Sequence, residues 1–392
     1  MSIIFAERIK QVKDSPTLAI AAQAMQMQAQ GLDVINLGVG EPDFDTPQHI
    51  KNAAIAAINA GFTKYTAVDG ISELKQAVVN KLRHANNINY ELKQIIISTG
   101  GKQSIYNLCQ AMLNTNDEVL IPAPYWVSYP DMVLLAGGIP VIIPATHENN
   151  YKITAAQLEQ AITVRTKLIF LNSPSNPSGV AYSKQELEEL GAVLRKYPQI
   201  LIATDDMYEY IIWTQKFVNI VNVCPDLYER TIILNGVSKA YAMTGWRIGY
   251  ASGPVNIIAA MKTIQSQSTS NPCSIAQKAA VAALTGSDET MHVMVREFKK
   301  RHDYVIERLR VITDLDIIPA DGTFYLFPNL DKVIQRLSYA NDTEFARQLL
   351  DTSGVALVPG TAFGNAGCIR LSFAISMEKL HDAMNRLIKF CK

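Results

Sequence analysis

The sequence predicts an α/β protein with a mostly parallel central sheet covered by helices, and a smaller α+β domain beside it. Three observations carry this. Short, almost wholly apolar β-branched runs recur along the chain, as strands buried on both faces require. Amphipathic helical segments with start signals separate them. Near residue 286 the alternation ends and a long charged helix leads into a mixed region. Strand and helix in alternation give a parallel sheet with helices on both sides.

The elements follow in order. Thr46 before Pro47 reads as a helix start with proline in the first turn. Ile95-Ile96-Ile97, Glu118 to Ile121, Val141-Ile142-Ile143, Lys167 to Leu171, Ile200 to Ala203 and Thr231 to Leu234 are the strand runs. Thr154-Ala155-Ala156-Gln157 and Ser183-Lys184-Gln185-Glu186 are capping boxes. After the second, Leu187, Leu190, Leu194 and Tyr197 fall near one helix face. Beyond Gly286, residues 288 to 311 read as one long helix. Short strands at Thr323 to Phe327 and Ile369 to Phe373, with helices at Thr343 to Leu350 and Met377 to Ile388, make the mixed region. The expected division is a large domain over 46–290, with 1–45 and 291–392 forming an N-terminal segment plus a small C-terminal domain.

Composition narrows the function class. The 392 residues carry 36 basic and 36 acidic side chains, so the net charge is zero and no basic excess points to nucleic acid. With 48% hydrophobic and 18% charged residues the chain reads as globular. The longest apolar run, Val133 to Ala145, holds Gly137, Gly138 and Pro140 and is short of the ~18 residues of a spanning helix. Glu7, Arg8, Lys10, Lys13 and Asp14 interrupt the start, unlike a secretory leader. Cys109, Cys224, Cys273, Cys368 and Cys391 are scattered and odd in number, so buried free thiols in a reducing cytoplasm are expected.

Several motifs fail. Gly38-Val39-Gly40-Glu41-Pro42-Asp43 lacks the third glycine of a dinucleotide fingerprint, and Gly100-Gly101-Lys102 lacks the spacer of a Walker loop. The six histidines show no ligand spacing, and no metal is expected. The segment Asn235 to Gly249 is different. It follows an apolar strand, where ligand sites of α/β proteins gather. Lys239 in it suits either a solvated lysine or a Schiff-base nucleophile. Arg247 suits either a structural arginine or a bidentate phosphate contact.

The fifteen-residue block Asn235 to Gly249 as a whole resembles the active-site signature of class I aminotransferases, the fold-type-I family dependent on pyridoxal 5′-phosphate (PLP). Blocks in the family's order run from Ser15 to Arg370, closest to the gamma subgroup of aspartate aminotransferases, some of which transaminate prephenate. The resemblance implies that Lys239 holds the cofactor covalently and carries the substrate α-proton, and that Arg247 clamps the phosphate. Asp205 matches the aspartate facing the pyridine nitrogen. Asp206 adjoins it, and the Asp-x-x-Tyr spacing selects Asp205. Tyr208 and Asn176 match the pair that bonds the phenolic oxygen, with a cis peptide before Pro177. Gly100 and Gly101, ahead of a helix beginning near Lys102, resemble the phosphate-binding turn. Trp126 resembles the ring-stacking aromatic. Tyr65 resembles the tyrosine that reaches the neighbouring subunit's phosphate, which implies a homodimer with shared active sites.

Substrate contacts are implied in the same way. Arg370 matches the arginine that grips the α-carboxylate, and Gly40 the backbone contact beside it. Trp126 and Asn176 also border the substrate. Lys102 fills the place of the lysine that meets the distal carboxylate. Lys13 resembles a residue linked to prephenate use, although Asp14 replaces the expected proline, and a solvated lysine fits Lys13 equally. The resemblance therefore implies aspartate or glutamate as amino donor, 2-oxoglutarate or oxaloacetate as acceptor, and ping-pong kinetics. Another fold-type-I enzyme remains the alternative: a broad alanine or aromatic aminotransferase, or a β-lyase. No nucleic-acid or membrane partner is expected.

Overall fold

The computed structural model describes residues 3–12 and 16–392. Lys13 and Asp14, singled out above for prephenate, lie outside the described residues. Seven strands form the main sheet: β1 (Ile95–Ser98), β2 (Glu118–Ala123), β3 (Ile139–Pro144), β4 (Thr166–Asn172), β5 (Leu201–Asp205), β6 (Thr231–Gly236) and β7 (Gly249–Ser252). Their order is β1-β7-β6-β5-β4-β2-β3. β7 runs antiparallel to both its neighbours, and the remaining pairs are parallel.

The apolar runs have a direct cause. Alternate side chains of each strand enter two different cores. Ile95, Ile97, Leu120, Ile169, Leu171, Ile202 and Ile233 pack into one. Ile96, Val119, Ile121, Leu168, Phe170, Ala203, Ile232 and Leu234 pack into the other. The inner strands are buried on both faces and the edge strand β3 is half-buried, so six of the seven strands read as apolar runs.

Helix starts behave as their capping chemistry dictates, with one exception. Thr154 and Ser183 each accept a hydrogen bond from the N–H three residues on, opening helices Ala155–Ala161 and Lys184–Arg195. At Thr46-Pro47 the helix is Gln48–Asn59, and extended Pro47 stands before its first turn rather than within it. The Thr46 hydroxyl does not cap; it donates to the Ala242 carbonyl (2.6 Å) and accepts from Trp246 Nε1 (2.9 Å).

The mixed region contains a three-stranded antiparallel sheet in the order Val358–Pro359, Ile369–Ser372, Tyr325–Leu326. Ile35–Asn36 pairs in parallel with Val355–Ala356. Helices Asp342–Ser353 and Met377–Phe390 pack over a separate core that includes Phe298, Phe324, Phe345 and Leu371. The long helix, Glu289–Leu309, joins this core to the larger one: Met291 packs into the large core, Met294 and Phe298 into the smaller. Four of the five cysteines are buried and all five are free; Cys273 is exposed, against expectation. Among the described residues no helix is long and apolar enough to cross a membrane.

Candidate active site

The strand directions decide where the site forms. β1, β2, β4, β5 and β6 all end at one edge of the sheet, and β7, running the other way, begins there. Asp205 is the last residue of β5 and Asn172 the last of β4. Lys239 follows β6 by three residues, Gly100 and Gly101 follow β1, and Arg247 immediately precedes the approach to β7. A cavity of about 740 Å³ opens at this edge. Its wall includes Gly40, Gly101, Lys102, Trp126, Asn176, Asp205, Tyr208, Lys239, Arg247 and Arg370. Two residues singled out from the sequence are placed elsewhere. Gly100 lies behind the wall as the N-cap of helix Gly101–Met112, and Tyr65 is outside the cavity and 92% exposed.

Lys239 Nζ donates to the Gly40 carbonyl (2.6 Å). Burial, then the charge of Arg370, brings its amine down from the ordinary lysine range to about 8, while Glu41 and Asp205 act the other way. A neutral amine is therefore accessible near neutral pH, as a nucleophile or base requires. The surrounding turn is pinned by Thr46 on Ala242 and by Thr244 Oγ1 donating to Glu41 (2.8 Å). Buried Arg301 secures the Gly40 segment from behind, with Nη1 on Asp43 (2.7 Å) and its guanidinium over the Phe44 ring.

Asp205 accepts from the Tyr129 hydroxyl at Oδ2 (2.6 Å) and from the Met207 N–H at Oδ1 (3.3 Å). Burial raises its carboxyl above the usual range, and these two donors oppose the rise. Asp206 points elsewhere: Thr204 (2.6 Å) and Asn219 donate to it, and it is absent from the cavity wall. Of the two adjacent carboxylates, Asp205 is the one on the cavity wall.

The glycines at β1 have a steric reason. Gly100 has φ +81°, and a Cβ there would run into the Arg247 guanidinium. A Cβ on Gly249 would run into the backbone of Gly100 and Gly101. Helix Gly101–Met112 thus presents its first N–H groups, which have no carbonyl a turn earlier, beside an arginine. Arg247 donates Nη1 to the Thr244 carbonyl (2.9 Å). Lys102 Nζ lies 5.1 Å from the Trp126 ring centroid. Its side chain reaches solvent, yet the surrounding protein and then Arg247 lower its amine below the ordinary range.

Arg370 comes from the small sheet and is buried. Nη1 donates to Asn176 Oδ1 (3.0 Å) and Nη2 to the Gly38 carbonyl (2.6 Å), while buried Nε has no protein partner among the described residues. The guanidinium sits 4.4 Å from the Tyr325 ring centroid. Tyr325 Oη pairs with Tyr208 Oη at 3.1 Å, and a Cβ on Gly40 would stand 2.9 Å from that same Tyr325 oxygen. Sequence reasoning missed Tyr129, Asn172, Glu41 and Tyr325. It also missed the helix Pro16–Ala29, which lends Thr17, Ala21, Ala22 and Met25 to the wall. Tyr129, three residues after Trp126, carried the nearest thing to a local signal.

The family model for class I and II aminotransferases matches residues 32–387. The chain belongs to that family. The aspartate/prephenate aminotransferase of Nitrosomonas europaea is 53% identical, covering 97% of this chain and 98% of its own. That of Cereibacter sphaeroides is 50% identical, covering 98% of each. The aspartate aminotransferase of Rhizobium meliloti superposes with a TM-score of 0.95 at 44% identity, over 100% of this chain and 99% of its own. That of Thermus thermophilus, solved with maleate, gives 0.94 at 38%, over 99% and 100%. The fold is accordingly fold type I, and the protein is a transaminase acting between amino and oxo acids.

PLP is the cofactor that this family implies. The aminotransferase's own residues fit it. Its phosphate calls for a helix start, a glycine approach and an arginine, and its aldehyde for an amine that loses its proton readily. Gly101, Arg247 and Lys239 supply these in one cavity, with Gly100 next to Gly101 just outside its wall. Among the described residues no cluster of three metal-ligating side chains occurs.

Proposed function

We propose that this aminotransferase moves the amino group of L-aspartate or glutamate to 2-oxoglutarate or oxaloacetate in ping-pong fashion with PLP, and that prephenate is a further substrate. One observation carries the reading. Lys239, Asp205, Arg247 and Arg370 share a single cavity, with Lys102 on the same wall as an additional cation. A phosphate, an α-carboxylate and a distal carboxylate each have a candidate partner there. The names of the Nitrosomonas and Cereibacter relatives support the prephenate extension.

When bound, PLP supplies an electron sink for the charge left at the substrate α-carbon. The chain's residues divide the remaining work. Arg247 and the Gly101 helix start hold the phosphate. Asp205 keeps a proton on the pyridine nitrogen, and Tyr208 and Asn176 address the phenolic oxygen. Trp126 covers the ring. Arg370 seats the α-carboxylate beside Gly40, and Lys239 Nζ takes the α-proton and returns it. Tyr65, exposed in the single chain, is assigned to the partner's site in a homodimer. The chain divides, on this reading, into a large domain, 46–290, and a small one formed by 1–45 and 291–392.

Two measurements test this. Lys102→Ala is expected to lower kcat/KM for aspartate by roughly 10- to 100-fold, the range of a hydrogen bond to a charged group, and to leave alanine within about threefold. Equal losses for both would remove Lys102 from the distal seat. Cofactor uptake by stripped protein reports the Lys239 amine. Because its folded value is lowered to about 8, the neutral form grows about tenfold per pH unit below that point. The second-order rate of PLP attachment should rise steeply to about pH 8 and then level. A rise continuing beyond pH 10 would show an ordinary solvated lysine.

A further inference from the structure

We propose that Tyr129 is a positioning residue for the reaction, fixing the Asp205 carboxylate through its hydroxyl and tying that carboxylate to the Trp126 ring. The inference rests on the proposed PLP site and adds to it a residue outside the cavity wall. Tyr129 is 2% exposed and absent from the cavity wall. Its hydroxyl donates to Asp205 Oδ2 at 2.6 Å. Its ring lies flat on Phe170 of β4, with centroids 4.7 Å apart and planes 3° from parallel. It also meets Trp126 edge-on at 5.4 Å and 87°. One side chain therefore touches the proposed ring-stacking aromatic, the proposed nitrogen partner and the strand between β2 and β5.

The physical consequence concerns charge. A buried carboxylate is costly unless donors satisfy it, and Asp205 has two: this hydroxyl and the longer Met207 N–H. A hydroxyl that donates to the charged form favours that form, so its loss pushes Asp205 towards the neutral acid. A neutral Asp205 no longer favours a protonated pyridine nitrogen. Titratable groups facing this pair are Lys239, Tyr208 and Asp206. The flat stack on Phe170 fixes the direction from which the hydroxyl reaches Asp205, so position and charge are set by the same ring.

The test is Tyr129→Phe in the PLP-loaded enzyme. This variant keeps the stack and the edge contact and removes only the hydroxyl. The expected result is a fall in kcat of about 10- to 100-fold, with KM within about threefold, and a shift of the pH midpoint of the visible absorbance band by half a unit or more. In an Asp205→Asn background the same substitution should change the single-turnover rate less than about twofold, because the hydroxyl acts through that carboxylate. Wild-type kcat and midpoint in Tyr129→Phe would overturn the proposal, as would effects that simply multiply in the double variant. A lowered Tm with both readouts unmoved would equally overturn it, by showing a packing role alone. If the wild-type protein takes up no PLP, the functional reading fails before the variant is made, which keeps the two failures apart.

Discussion

Lys239→Ala is expected to lower the rate of aspartate transamination by about 10⁴-fold or more, with no loss of folding stability. The rate term follows from losing both a covalent anchor and a proton carrier, each of which contributes on the order of 10²–10⁴. The stability term follows from burial. Nζ lies in the cavity wall, its charge is disfavoured, and its hydrogen bond goes to the Gly40 carbonyl. Removing an amine that folding disfavours should leave Tm unchanged or raise it. Stopped-flow half-reactions and thermal unfolding of the same preparation measure the two. Turnover at the wild-type rate would end the assignment of Lys239, and a large drop in Tm would show that the lysine holds the fold.

Arg370→Lys should lower kcat/KM by about 10²- to 10³-fold for every amino acid tried, aspartate and alanine alike. Truncating one member of a buried charged hydrogen-bond set costs roughly 2–5 kcal/mol, and lysine restores charge without the planar fork. In the free protein the fork donates to Asn176 and to the Gly38 carbonyl, and it rests on Tyr325. A single ammonium cannot reproduce those directions. The uniform loss separates Arg370 from Lys102, whose variant should discriminate between substrates. A loss confined to dicarboxylates would exchange the two assignments.

Much of this was legible because the local chemistry is strong. Strands sandwiched between two cores must be apolar throughout, so Ile95-Ile96-Ile97 and Lys167 to Leu171 announced themselves. The lysine block was legible as a pattern because its residues lie on one short turn. What escaped was direction and distance. Gly249-Tyr250-Ala251-Ser252 is small and partly polar, and its antiparallel course shows only in the absence of a crossover helix between Gly236 and Gly249. Tyr129 meets Asp205 across 76 positions of sequence, and Tyr325 meets Tyr208 across 117. Contacts of that kind exist only once the sheet has assembled. Thr46 failed as a helix cap for the same reason: its hydroxyl is claimed by Ala242 and Trp246, some 200 residues away.

The packing of Gly249 against Gly100 and Gly101 has a consequence for how such an enzyme can diversify. There the proposed phosphate seat is set by main chain meeting main chain, with no room for even one added carbon. In the proposed site, discrimination is left to side chains: Lys102, one residue on from Gly101, and Ala21, Ala22 and Met25 of the Pro16–Ala29 helix, a separate segment. On that reading the helix encodes part of the selection at an address separate from the anchor. Substitutions along that helix can retune which amino acid enters while the anchor stays where it is, so a lineage can change its diet without rebuilding its chemistry.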